Sequence, residues 1–190
     1  MSLEAIAIET LVAAARDADA TTVGIVGFSG DWSQNHRPDA ESVTRTAIEG
    51  LLNWRVTRTP RLWCVSGATD YGVPAVAYEV AERLGILRIG VTAHEALEYD
   101  LARLDHLTVV GLRFGDESEA FVELCDEIWM FGGGSQSRDE VCRASALGKS
   151  VVVVRGIGGT ADAIDPAELP GARFLDIDHL DLDRHSGSRS

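Results

Sequence analysis

Three consecutive glycines, Gly132, Gly133 and Gly134, run into Ser135, Gln136, Ser137, Arg138, Asp139 and Glu140. Glycines let a backbone come close to a ligand. Where such a turn opens a helix, the first turn offers N–H groups without intrahelical partners and the positive end of the helix dipole, a combination that holds a phosphate. Ser135 and Ser137 add hydroxyl donors. The same residues admit a purely structural reading, in which Ser137 caps the helix and Glu140, three positions on, completes a capping box. Glu140 is therefore either a cap partner or an acid/base group.

Other residues supply chemistry that such a turn would need. Asp116 and Glu117 lie shortly before the strand that leads into the glycines. Brought beside Glu140 they would form a carboxylate cluster able to raise a pKa, to work as general acid or base at an N-glycosidic bond, or to accept ribose hydroxyls. Their structural alternative is that Asp116 caps its helix while Glu117 and Glu119 complement the dipole. The segment after the first strand holds Gly27, Ser29, Gly30, Trp32 and Arg37. It is long for such a connection, and long connections are often functional. There Arg37 would clamp a phosphate and Trp32 would stack on a base, or both would serve a subunit contact. Ser66, Gly67, Thr69, Asp70 and Gly72 follow the second strand and suit phosphate and ribose. His94 and Glu95 lack the second histidine of a zinc helix, so no metal is expected. Gly156 to Ala161 fits a G-x-G-x-x-A spacing, but it lies near the end of the chain and runs into Pro166 and Pro170, so Gly158 and Thr160 are read as a further wall of one pocket.

The elements that position these residues follow from apolar periodicity. Strands are expected at 22–27, 62–65, 86–91, 106–112, 128–131, 151–154 and 173–177, nearly all running into glycine or serine. Helical patterns fall between them. Val43, Ala47, Ile48, Leu51 and Leu52 share one face behind Asp39 as N-cap. Val76, Ala77, Val80, Ala81 and Leu84 form a stripe that begins near Pro74 and stops at Gly85. Helices are also read near the N-terminus, over 116–125, and from the glycine turn to about Leu147. Alternation of this kind implies an α/β fold, a Rossmann-like doubly wound, mainly parallel sheet with helices on both faces. The loops 27–37, 66–72, 132–137 and 156–160 should then meet at one sheet edge.

Bulk properties narrow the partners. With 30 acidic against 17 basic residues the net charge is -13, a field that repels nucleic acid polymers and anionic membranes. No stretch approaches the ~20 apolar residues of a membrane helix. Cys64, Cys125 and Cys142 show no paired spacing and read as thiols of a cytoplasmic protein. The 190 residues suit one domain over 1–182, with a polar, disordered tail at 183–190.

The glycine segment resembles the P-G-G-x-G-T-x-x-E motif of the LOG family, the "lysine decarboxylase-like" proteins that are cytokinin-activating phosphoribohydrolases within the SLOG nucleotide-binding superfamily. In register, Gly133 and Gly134 match the paired glycines, Ser137 the threonine and Glu140 the glutamate. Residues 26–30 and 65–72 resemble the first and second loops of the family. Gly132 replaces the proline and Gln136 the third glycine. Where those enzymes resemble one another in a catalytic arginine, this chain carries Glu117. The resemblance implies a phosphate-bearing nucleotide ligand and a homodimer, in which the helix bearing Val76 and Tyr78 could pair with a copy of itself. It requires no further cofactor, and Lys149, the only lysine, has no pyridoxal-binding context. Two activities are open: a nucleotide-binding sensor or carrier, suggested by the missing arginine, and a nucleoside 5'-monophosphate phosphoribohydrolase using Glu140 with Asp116 or Glu117.

Overall fold

Val151, Val152, Val153 and Val154 are all buried. Because alternate residues of a strand point to opposite faces, this segment must be covered on both sides. The computed structural model, which describes residues 5–180, shows how. Seven parallel strands form one sheet: β1 (Thr21–Gly27), β2 (Leu62–Ser66), β3 (Leu87–Thr92), β4 (His106–Val109), β5 (Glu127–Phe131), β6 (Ser150–Arg155) and β7 (Arg173–Asp176), in the order β4-β3-β2-β1-β5-β6-β7. The helices are α1 (Ile8–Asp17), α2 (Ala40–Val56), α3 (Gly72–Arg83), α4 (Ser118–Leu124), α5 (Ser135–Ala146) and α6 (Thr160–Ala163). The expected tail at 183–190 lies outside the described residues.

Val152 and Val154 join Val23, Ile25, Trp129 and Phe131 in a core under α2 and α3. Val151 and Val153 join Val26, Ile128 and Met130 in a second core with residues of α1, α4, α5 and α6. The fold is therefore Rossmann-like, doubly wound and parallel. Among the described residues no helix is long and apolar enough to cross a membrane.

Local chemistry explains the helix ends. Gly85 has φ +68° just after α3, and Gly148 has φ +72° just after α5, the left-handed geometry that stops a helix. Lys149 closes the end of α4 by donating from Nζ to the carbonyls of Val122, Glu123 and Cys125 at 2.8, 3.0 and 2.7 Å. A cation there complements the negative end of the helix.

Several expectations need correction. Asp39 sits before α2 but makes no capping bond, because its carboxylate accepts from Arg37. The capping box at Ser137 and Glu140 does not form, since α5 begins at Ser135 with Gly134 as its N-cap and puts Ser137 inside the first turn. Val76 and Tyr78 are each only 2% exposed. The Tyr78 hydroxyl lies 2.8 Å from the carbonyls of both Ser66 and Ile89, so these two residues of α3 face the sheet.

From β1 the chain adds β2, β3 and β4 on one side, then returns to place β5, β6 and β7 on the other. Strand order reverses between β1 and β5. Loops leaving those two strands turn to opposite faces, which opens a crevice at their C-terminal ends.

Candidate functional site

A cavity of about 440 Å³ occupies that crevice. Its walls come from the ends of four strands. After β1 stand Gly27, Phe28 and Ser29; after β2, Ser66, Gly67 and Thr69; at the end of β3, Val91 and Thr92; after β5, Gly133, Gly134, Ser135, Gln136, Ser137 and Glu140. Pro74 in the first turn of α3, and Phe114, Glu117 and Phe121 from around the start of α4, complete the lining. Segments far apart in sequence thus meet at one rim.

The turn after β5 depends on glycine. Gly132 and Gly133 have φ of +66° and +85°, and a Cβ on Gly133 would lie 2.7 Å from the Ser137 Oγ. Only a residue without a side chain passes here. Gly134 follows in extended conformation and caps α5 without a side-chain hydrogen bond. α3 likewise follows its N-cap Tyr71 without a side-chain cap bond. α5 therefore starts at the cavity with its first N–H groups unclaimed by a capping side chain, whereas in α3 the Val73 N–H donates to the Phe28 carbonyl at 2.6 Å and Pro74 has none to give. Thr160 braces the glycine turn from behind, with its N–H 2.9 Å from the Gly133 carbonyl and its Oγ1 2.8 Å from that of Gly134.

Two buried carboxylates lie in the lining. Glu117 and Glu140 are each 5% exposed. The Gln136 side-chain amide links them, with Nε2 2.9 Å from Glu117 Oε1 and 3.2 Å from Glu140 Oε1. Ser118 Oγ donates to Glu140 Oε1 at 2.8 Å, and the Gly115 N–H donates to Glu117 Oε2 at 2.8 Å. Burial drives the Glu140 pKa up to about 7, with the charge of Glu117 pushing the same way and the bonds from Ser118 and Gln136 opposing. Glu140 therefore shares its proton with solvent near neutrality. No lysine, arginine or histidine lines the cavity among the described residues.

Not every expected site residue reaches it. Arg37 is engaged elsewhere: its guanidinium pairs with Asp39 and Asp178 and donates to the Gly156 carbonyl at 3.0 Å. It ties the first loop to the chain after β6. Trp32 packs on the Phe28 ring at 5.3 Å between centroids, behind the cavity wall. Asp116 is exposed and accepts from the Leu112 and Arg113 N–H groups at 2.9 and 3.0 Å, bonds that hold its carboxyl below the usual range. Gly158 and Thr160 stand outside the lining, and Gly132 lies under the turn, buried. Gly30 and Gly72 belong to the frame; a Cβ on Gly72, at φ +59°, would meet the Phe28 carbonyl oxygen at 2.2 Å.

Phe114 and Ser118 carry no signal of a site in the sequence, and Phe121 reads there only as part of the apolar stripe of the 116–125 helix. Phe114 lies in an irregular stretch without periodicity, and its one local signal is an apolar residue set between Gly111 and Gly115. Ser118 meets Glu140 only because α4 and α5 pack side by side.

No family model matches the chain, and no curated protein matches it. Solved structures do. The Moco carrier protein from Chlamydomonas reinhardtii is similar with a TM-score of 0.64 at 17% identity, over 84% of this chain and 91% of that one. The molybdenum cofactor binding protein from the phototrophic bacterium Rippkaea orientalis gives 0.62 at 17% identity, over 82% and 88%. TM1055, a structural genomics target, gives 0.59 at 20% identity, over 82% and 91%. At these identities the chain shares the Rossmann-like fold of these proteins.

Proposed function

We propose that the chain binds a phosphate-bearing small molecule of the nucleotide or pterin type at the rim between β1 and β5, as a carrier or sensor of the SLOG kind. One observation carries the reading: the glycine turn delivers the uncapped start of α5 into a cavity lined by Gly133, Gly134, Ser135, Gln136 and Ser137. Backbone N–H groups and hydroxyls there suit an anion. The cavity volume falls in the range of about 300–1,000 Å³ that takes a whole small molecule. Two of the similar structures are described as binding or carrying the molybdenum cofactor, which supports a binding role for this fold.

Among the described residues no cationic side chain lines the cavity, so binding rests on the main chain and on the protonation of Glu140. With the proton on, one negative charge is removed from the neighbourhood of the phosphate. A thermal-shift panel of nucleoside mono- and diphosphates, dinucleotides and pterin phosphates is the test. A ligand at 100 times its Kd stabilises a protein by about 2.7 kcal/mol, so at least one compound should raise Tm by several degrees. No shift with any member contradicts the reading.

A second activity rests on the Glu140 pKa of about 7. A carboxylate poised there can take a proton from water attacking an N-glycosidic bond, with Glu117 accepting a ribose hydroxyl. Without the arginine of the phosphoribohydrolases, no cationic side chain of the described lining offsets the two acids, and binding without turnover is the simpler account.

A further inference from the structure

The stretch between β4 and α4 is exposed yet closely held. Three carboxylates fix four successive N–H groups: Asp116 accepts from Leu112 and Arg113 at 2.9 and 3.0 Å, Glu95 from Phe114 at 3.2 Å, and Glu117 from Gly115 at 2.8 Å. The Glu95 N–H in turn donates to the Leu112 carbonyl at 3.0 Å. So pinned, the backbone presents the Phe114 ring with 44% of its surface in water. Tyr99, 53% exposed, lies against it at 5.9 Å between centroids and a tilt of 51°. An aromatic ring left in water forgoes the free energy of burial. A loop held by its own hydrogen bonds also loses little entropy when something covers that ring.

Phe114 is at once exposed and part of the cavity lining, on a wall shared with Glu117. Resting on the binding reading above, we infer that Phe114, backed by Tyr99, is the stacking face for the planar heteroaromatic ring of the ligand, whose phosphate sits at the Gly133–Ser137 turn. The chemistry of the cavity supports this division. Among the described residues no cationic side chain lines the cavity, so stacking supplies affinity that the anion site does not, and an aromatic face tolerates any flat heterocycle. Of the other two rings in the wall, Phe28 is half-buried and packed on Trp32 and the core, and Phe121 is only 2% exposed. Phe114 is the aromatic ring of the lining that is left exposed to solvent.

Calorimetric titration tests the inference, with guanosine 5'-monophosphate and 6-hydroxymethylpterin phosphate as ring-bearing probes and ribose 5-phosphate as the ring-free one. The intact protein should bind at least one ring-bearing probe tenfold or more tighter than ribose 5-phosphate. Phe114→Ala should erase that advantage, weakening the ring-bearing probe about tenfold or more, the order expected for base stacking, and leaving ribose 5-phosphate within twofold. Phe114→Trp should retain it, which separates stacking from damage to the loop. Ring-bearing affinity unchanged in Phe114→Ala, or no preference for the ring in the intact protein, overturns the inference and leaves the anion site standing. Failure of all three probes to bind the intact protein removes both.

Discussion

Glu140 couples the site to pH. Its pKa lies at about 7 in the folded protein against an ordinary 4.5, because burial disfavours the charged form. A carboxyl whose folded pKa is raised stabilises the fold fully below its unfolded value, and that contribution is lost as pH rises through about 7. The difference between the two values corresponds to about 3 kcal/mol. Glu140→Gln keeps an acceptor for Ser118 and Gln136 but carries no titrating proton. Urea denaturation of both proteins at pH 5 and pH 8 should show the variant gaining about 2.5 kcal/mol relative to the parent at the higher pH, since pH 5 already lies above the unfolded value. Parallel stabilities would mean that Glu140 is ionised throughout. The same variant bears on turnover: if base release from a nucleoside monophosphate is detected and survives Glu140→Gln, the acid/base role is wrong. At this scale the sequence made both acids legible, through the resemblance of one and the replaced arginine at the other. The Gln136 bridge was not legible, because it needs two helices to be packed before residues 117 and 136 can touch. Arg37 failed as a phosphate clamp for a related reason, since its acidic partner Asp178 is 141 positions away.

Among the elements, the turn between β5 and α5 matters most. Gly133→Ala places a Cβ against Ser137 at a backbone angle that L residues rarely adopt. The expected cost is about 1–3 kcal/mol of stability. Ligand binding should fall further than this loss explains, because the turn aims the first N–H groups of α5; thermal melts with and without the best panel compound measure both. A binding-competent, unperturbed Gly133→Ala would show that the turn is not under this constraint. The glycines announced such a turn from sequence, but the helix start did not follow the local S-x-x-E pattern. Gly134 ends the turn in extended conformation, so the helix can begin at Ser135, three residues before the pattern suggests. Strand positions were legible almost throughout, since a parallel sheet covered on both faces needs continuous apolar runs such as Val151–Val154.

On the scale of the molecule, the reversal of strand order between β1 and β5 decides where a ligand can sit. Alternation of strands and helices in the sequence implies a doubly wound sheet but not the strand order, which the structure supplies, and the convergence of three of the four expected loops follows from it. The fourth, 156–160, packs behind the glycine turn because β6 lies one strand beyond β5. The net charge of -13 gives the approach of any anion an unfavourable long-range field, so recognition has to be local. The most direct measurement is therefore of the backbone itself: amide chemical shifts of the nitrogen-15-labelled protein, titrated with the panel compound that raises Tm most. The largest shifts should fall on the amides of residues 133–137, with secondary ones on 28–29, 67–69 and 114–115. Shifts that leave 133–137 unmoved while the compound binds would place the ligand elsewhere and contradict the anion site.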